Sequence, residues 1–170
     1  MITTPESIPQ STERKISIAL FAHPKEQNAC DALCKHLKII VRTSTKPIEI
    51  NSDFSIPPGE DINTFKTKLI QSDIVLALLS NDYIDDDEKY KRLNLVFERA
   101  NAHLAVVLFV IARDCMWDLL PFNKELFLPK DRVPVENYSH IDTAYKDITE
   151  EVYELIQHLV NPSAQPGTGN

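Results

Sequence analysis

Two short apolar runs, separated by an amphipathic segment, dominate the hydrophobic pattern of the chain. Residues Ile74 to Leu79 and Leu104 to Ala112 form uninterrupted runs rich in branched side chains. Such runs are typical of strands in a parallel sheet that is covered on both faces. The segment between them has apolar residues at helical spacing, namely Leu93, Val96, Phe97 and Ala100. The pattern therefore predicts a βαβ unit.

The flanking sequence continues this alternation of strands and helices. Further strands are predicted at Lys15 to Phe21, Pro47 to Asn51 and Arg132 to Glu136, the last at a sheet edge because Pro134 lacks a backbone donor. Helices are predicted from Pro24 to Val41 and over Ile62 to Ile70, with a last helix capped by Asp142 that buries Tyr145, Ile148, Val152, Leu155 and Leu159. Five strands alternating with four or five helices predict a three-layer α/β sandwich.

Ligands of open α/β sheets lie beyond the carboxyl ends of the strands. The residues predicted at these ends are Ala22, His23, Ser52, Asp53, Ser80 to Asp82, Arg113 and Asp114. One domain is expected over residues 15–160, because residues 1–14 and 161–170 are polar and read as flexible tails. The second tail could equally be a linker to a further domain.

Composition and charge narrow the classes of function. The net charge of -7 disfavours nucleic acids and acidic membrane surfaces as partners. No apolar run reaches the length of a membrane span and no signal peptide is evident, so a cytoplasmic protein is expected. Three cysteines are a poor disulfide framework, and three glycines leave no glycine-rich phosphate loop.

The sequence offers weak candidates for a metal site. Cys30 and Cys34 are one helical turn apart near His36, but thiols on an apolar stripe are typical of buried core. The acidic run from Asp85 to Glu88 is explained more simply by the positive end of the following helix. No metal and no bound cofactor are therefore expected.

An ordered series of landmarks resembles the Toll/interleukin receptor (TIR) domain family, in particular its bacterial members. The series comprises LLSNDYI at 78–84, FERANAHLAVVLFVIARDCMW at 97–117 with its Arg-x-Cys-x-Trp element, and the pairs Pro121–Phe122, Leu128–Pro129 and Pro134–Val135. The resemblance covers residues 15–160 and implies a flavodoxin-like, five-stranded parallel sheet of order 2-1-3-4-5. In many bacterial members it also implies cleavage of NAD+ at the nicotinamide glycosidic bond, with NAD+ as a substrate.

The family's catalytic residue has no match at its usual place. A glutamate in the third helix, about six residues before the pair that matches Glu98 and Arg99, would stabilise the oxocarbenium-like transition state. Counting back reaches Arg92, a permanent cation that cannot take this role. Either Glu88 or Glu98 faces the pocket as the catalytic carboxylate, or the chain does not hydrolyse NAD+.

The remaining candidates would bind substrate or promote assembly. His23 either hydrogen-bonds a ribose or adenine, or caps the chain beside Pro24, and Phe54 either stacks on a base or serves a protein contact. Ser80 at a strand exit and Arg92 in the third helix complete the substrate-binding set. The segment 52–61, with Ile56, Pro57, Pro58 and Gly59, resembles the family's assembly loop.

Two hypotheses follow. The chain is an NAD+-consuming effector or signalling enzyme of prokaryotic immunity, active when copies assemble, or a catalytically silent adaptor that self-associates. Both predict a homo-oligomer through the 52–61 loop and neighbouring helices. A sensor domain, fused to the chain or associated with it, is a further candidate partner. A response-regulator receiver is disfavoured because Ala22 and His23 stand in place of its acidic pair. A nucleoside deoxyribosyltransferase is disfavoured because its early tyrosine and aspartate signature is absent.

Overall fold

The structure is a computed structural model that describes residues 14–161. Strands and helices alternate along the chain for most of its length. The strands are β1 (Ile16–Phe21), β2 (Ile48–Ser52), β3 (Ile74–Leu79), β4 (Val106–Ile111) and β5 (Phe127–Leu128). The helices are α1 (Gln27–Thr43), α2 (Ile62–Ile70), α3 (Asn81–Asp85), α4 (Asp87–Asn101) and α5 (Ile141–Val160).

The strands form one sheet of order β2-β1-β3-β4-β5 in which every neighbouring pair is parallel. This confirms the predicted flavodoxin-like fold and its strand order. Because β1 lies between β2 and β3, the chain reverses its winding direction at the exits of β1 and β3. That reversal creates the crevice in which open α/β sheets bind ligands.

Two apolar layers cover the sheet. On one face, α1 and α5 pack through residues such as Leu33, Leu37, Ile148 and Val152. On the other face, α2 and α4 pack through Phe65, Leu69, Leu93 and Val96. All six residues of β3 are buried, as the uninterrupted apolar run predicted. The two layers fix the helices and therefore the loops at both ends of the sheet.

The predicted fifth strand at Arg132 to Glu136 is wrong. The sheet ends instead with Phe127 and Leu128, which pair with Phe109 and Val110 of β4. The segment Val135–Asn137 forms a 3-10 turn, in which Val135 is buried without joining the sheet. Proline at 134 has no N–H to donate to a ladder, whereas Phe127 and Leu128 are not proline and both have buried side chains.

Helix boundaries differ from prediction in three places. A separate short helix, α3, follows β3 before α4 begins. The first helical segment starts as a 3-10 turn at Pro24–Glu26. In the last helix His140 occupies the N-cap position without a side-chain cap, while Asp142 lies in the first turn and contacts His36 at 3.1 Å. Leu159 was predicted to be buried and is 45% exposed.

The predictions for the two tails concern residues that are almost all outside the described range, which leaves 1–13 and 162–170 undescribed. Between residues 14 and 161, none of the helices combines the length and apolar character that crossing a membrane requires.

Candidate functional site at the carboxyl edge of the sheet

A buried ion pair occupies the exits of β1 and β2. Arg92 donates from Nη1 to Oδ1 of Asp53 and from Nη2 to Oδ2, both at 2.7 Å. Asp53 is the residue after β2, and its Oδ2 also accepts the backbone N–H of Ala22 at 2.9 Å. Both side chains are almost wholly buried. The pair has the bidentate geometry that makes arginine–carboxylate contacts strong and directional.

Aromatic rings enclose the guanidinium of Arg92. Its central carbon lies 3.8 Å from the ring centroid of Phe21, the last residue of β1. Buried Tyr83 of α3 is also adjacent, and burial raises the pKa of its hydroxyl. Neither the Tyr83 hydroxyl nor Arg92 Nε has a hydrogen-bond partner among the described residues. The cation is therefore held by a carboxylate and by the face of a ring.

The electrostatics of Arg92 favour its charged form. Burial lowers the pKa of the guanidinium, but the hydrogen bonds and negative charge of Asp53 outweigh it, so the pKa is raised. A guanidinium fixed in this way cannot accept a proton or stabilise a neighbouring positive charge. Arg92 can therefore neutralise a carboxylate, but it cannot act as a catalytic carboxylate itself.

Neither predicted catalytic carboxylate lies at this pair. Glu88 is in the first turn of α4, one turn before Arg92, and its side chain is exposed. Glu98 is also exposed, on a different side of α4 from the buried residues Arg92, Leu93 and Val96. The structure thus brings Arg92 and Asp53 together at the crevice and leaves both glutamates facing solvent.

The other predicted substrate-binding residues have local structural partners. His23 Nδ1 accepts the N–H of Lys25 and so caps the turn at Pro24–Glu26, which matches the simpler of its two interpretations. Ser80 is buried, and its hydroxyl accepts the N–H of Tyr83 as the N-cap of α3. Both side chains therefore complete turns at strand exits.

A second ion pair at this edge was not anticipated from the sequence. Glu26 is only 4% exposed, and its Oε1 accepts from Arg113 Nε at 2.5 Å. Glu136 lies 4.0 Å from Arg113 and accepts the N–H of Asp114 at 2.8 Å. The hydrogen bond and charge of Glu26 raise the pKa of Arg113. Glu26 and Arg113 are 87 positions apart, so no local spacing in the sequence could indicate their contact.

The 52–61 loop is ordered by its own hydrogen bonds at both ends. Asp53 N donates to Leu20 O, and the hydroxyls of Ser52 and Ser55 bond to nearby backbone. Glu60 N donates to Pro57 O with Gly59 at a φ of 84°, as in a type II turn. The tip at Pro57, Pro58 and Gly59 is exposed.

Two apolar side chains of this loop face inward. Phe54 is half-buried against the layer of α1 and α5, and Ile56 against the layer of α2 and α4. Phe54 is therefore less available for base stacking than an exposed loop aromatic. What the loop offers to a partner is its proline-rich tip.

The cysteines and acidic residues form no metal site in the part of the chain that the structure describes. Cys30 is buried, and a hydrogen bond to Cys34 raises its pKa while the same bond lowers the pKa of Cys34. Cys115 and Trp117 pack beside β5, with the Trp117 and Phe127 rings 4.8 Å apart. Asp86 is the N-cap of α4, which explains part of the acidic run.

Two cavities lie away from these residues. A cavity of about 950 Å³ is lined by residues at the amino ends of the strands, and one of about 180 Å³ lies between the ends of α1 and α5. Neither is lined by His23, Asp53, Ser80 or Arg92. Strand order and strand exits define an open, doubly wound α/β domain whose usual ligand crevice is filled by ion pairs.

Comparison with known proteins adds a sequence relative and neighbours in fold. The chain is 30% identical over 138 residues to the uncharacterized protein y4lF of Sinorhizobium fredii (strain NBRC 101917 / NGR234), a match that covers 80% of this chain and 42% of that protein. The chain thus spans less than half the length of that relative. No protein-family model matches the chain.

One fold neighbour is a chain from the crystal structure of the RPS4 and RRS1 TIR domain heterodimer. It is 12% identical with a TM-score of 0.48, and the match covers 81% of this chain and 96% of that chain. The fold of the present chain is established by its own strand order and pairing.

Proposed function

We propose that this chain is a TIR-type signalling module that acts by self-association and does not cleave NAD+. The observation that carries the proposal is the buried Asp53–Arg92 pair, with its two hydrogen bonds of 2.7 Å. It stands where the resemblance to TIR domains places a catalytic glutamate. A positive charge there opposes an oxocarbenium-like transition state, and the nearby carboxylate is already neutralised.

The loop that would make the assembly contact supports the same proposal. Asp53 anchors the start of the 52–61 loop to β1 and to α4, and Asp61 caps α2 at its end. The exposed tip between these anchors is preorganised by its turn. A rigid loop loses little conformational entropy on binding, which favours its use as a contact surface.

The rival function is NAD+ cleavage in an assembled state, as an effector of prokaryotic immunity. The observation that favours it is the position of Glu88, an exposed carboxylate one turn before Arg92 at the start of α4. It would require the crevice to open, because the Asp53–Arg92 pair fills the space beside it. The two functions predict opposite results with NAD+.

The deciding experiment incubates the purified full chain with NAD+ at high protein concentration and with a crowding agent, and measures free nicotinamide. The proposal expects no release above a protein-free control, with the assembled state confirmed by light scattering in the same sample. Release that is abolished by Glu88→Ala or Glu98→Ala would overturn it and identify the carboxylate.

Self-association is tested separately with a matched pair of proline variants. Pro58→Glu places a charge at the exposed loop tip that follows the edge strand β2. Pro121→Glu makes the same change at an exposed position near β5, the other edge strand of the sheet. We expect light scattering to show weaker association for Pro58→Glu and unchanged association for Pro121→Glu. A monomeric wild-type chain at all concentrations would contradict the proposal.

A further inference from the structure

A groove lies at the amino ends of the strands, at the end of the sheet opposite to the ion pairs of Arg92 and Arg113. This cavity of about 950 Å³ is lined by Ile16 at the start of β1, Asp73 before β3, Val106 at the start of β4 and Leu126 before β5. Four neighbouring strand starts at a spacing of about 4.8 Å give a length of roughly 14 Å. About four residues of extended chain have this length.

The walls of the groove are apolar side chains from two helix ends. Leu104 follows the end of α4 and is 59% exposed, while Leu159 in the last turn of α5 is 45% exposed. Phe97 and Val160 extend these walls on the same two sides. Exposed apolar residues that converge on one groove indicate a contact surface more strongly than scattered ones do.

The charges of the groove are mostly positive, although the chain as a whole carries a net charge of -7. Arg14, Lys46 and Arg99 line it, with Asp73 as its acidic residue. Asp73 is already engaged by Arg14 and by the backbone and hydroxyl of Ser17. Three cations and one anion give the lining an excess of positive charge.

Arg99 is the cation most firmly fixed at the groove. Its Nη2 donates to the carbonyl oxygens of Gln71 and Leu104 at 3.2 and 3.3 Å, and its buried Nε has no hydrogen-bond partner among the described residues. Carbonyl oxygens orient the guanidinium without neutralising its charge. This arrangement leaves a directed positive charge available to an incoming carboxylate.

We infer that this groove docks an extended acidic peptide segment of a partner protein. Apolar side chains of the segment lie between Leu104 and Leu159, and a carboxylate of the segment meets the guanidinium of Arg99. The length, the two apolar walls and the local positive charge of the lining together fit an extended acidic peptide. The inference does not rest on the proposed function, since it concerns the opposite edge of the sheet.

The test uses fluorescence polarisation with the full chain and a labelled hexapeptide of alternating glutamate and valine. The matched probe replaces each glutamate by lysine. We expect saturable binding of the glutamate peptide, weakened when salt is raised to about 0.3 M, because exposed charge pairs are then screened. Equal binding of the lysine peptide, or no saturable binding of the glutamate peptide, would overturn the inference.

Matched leucine variants locate the binding. Leu104→Glu places a carboxylate in the groove, whereas Leu119→Glu makes the same change at a residue that is 71% exposed and outside it. We expect Leu104→Glu to weaken peptide binding by roughly tenfold, which corresponds to about 1.4 kcal/mol, and Leu119→Glu to leave it unchanged. Equal affinities of both variants would contradict the inference. So would a dimer of the wild-type chain that Leu104→Glu dissociates, because the groove would then hold a second copy.

Discussion

The two ends of this sheet hold the two arginines of α4 in opposite ways. At the carboxyl edge, Arg92 and Arg113 are paired with the buried carboxylates of Asp53 and Glu26. At the amino edge, Arg99 is held by carbonyl oxygens beside a groove with apolar walls. The sheet therefore has the strand order that forms a ligand crevice, but ion pairs occupy the carboxyl ends of its strands.

The largest effect is expected when the buried ion pair at the carboxyl edge is broken. Arg92→Ala leaves the Asp53 carboxylate buried with the Ala22 N–H as its remaining close donor. Removing one partner of a buried pair is strongly destabilising, and we expect the free energy of unfolding to fall by roughly 3 to 5 kcal/mol. Urea unfolding followed by circular dichroism measures the change.

The control for that variant is Lys25→Ala, which breaks the exposed contact between Lys25 and Asp82 at 3.3 Å. Exposed pairs contribute about 0 to 1 kcal/mol, so this variant is expected to unfold at nearly the wild-type urea concentration. Similar losses for the two variants would mean that the Asp53–Arg92 pair is no stronger than a surface contact.

A smaller loss is expected at the second ion pair of the same edge. Arg113→Ala removes the partner of buried Glu26, yet Arg113 itself is half exposed, so water can reach the site. We expect a loss of roughly 1.5 to 3 kcal/mol, the range for hydrogen bonds to charged groups. Arg113→Lys keeps the charge without the planar donor set and is expected to recover part of the loss in the same urea titration. A loss as large as that of Arg92→Ala would show that exposure does not separate the two pairs.

The cap of α4 gives a pH-dependent test of the helix that carries Arg92. The Lys89 N–H donates to Asp86 and lowers the pKa of that carboxyl. Its contribution is therefore present above the unfolded pKa of about 3.9 and is lost as the pH falls through the lower folded value. Asp86→Ala should cost about 1 kcal/mol at neutral pH, a difference that shrinks in acid.

The matched variant is Asp86→Asn, which keeps a capping oxygen without a titrating group. We expect it to retain most of the stability at neutral pH and to lack this pH-dependent contribution, measured by thermal unfolding between neutral and acidic pH. A constant difference between wild type and Asp86→Ala at every pH would rule out a charge-dependent cap.

The smallest effect is expected at the amino edge. His103 lies just past the end of α4 with a φ of 61°, and Leu104 N donates back to Arg99 O. This is the left-handed position where helices usually have glycine. His103→Gly should raise the free energy of unfolding by about 0.5 to 1 kcal/mol because the left-handed backbone strains a residue with a Cβ.

The control at this helix end is Ala102→Gly, whose φ of -89° imposes no such strain. It should be neutral or destabilising, because glycine gains freedom in the unfolded chain without relief in the folded one. Thermal unfolding of both variants measures the difference. If both glycines destabilise equally, His103 is not strained.

Much of the fold follows from sequence because apolar periodicity is a local signal. All six residues of β3 and four of the six residues of β4 are buried, as expected for uninterrupted apolar runs. The fifth strand was missed because Phe127 and Leu128 form too short a run to show a period. Only their pairing with β4, a long-range contact, makes them a strand.

The site was predictable in its parts and not in its pairing. The departure at Arg92 and the position of Asp53 after β2 are both visible in the sequence. Their contact joins residues 39 positions apart, and it depends on the register of α4 against β1 and β2. No spacing rule in the sequence predicts that register. The contact between Asp53 and Arg92 could therefore be found only in the structure.

The bidentate pair of Asp53 and Arg92 also means that substitutions at these two positions are coupled. A glutamate at 92 would face the Asp53 carboxylate at a distance where two negative charges repel, so neither position can exchange its charge alone without leaving a like-charged or orphaned neighbour. A glutamate at position 92 is therefore expected to be tolerated only together with a change at Asp53. Relatives should accordingly retain both residues or neither.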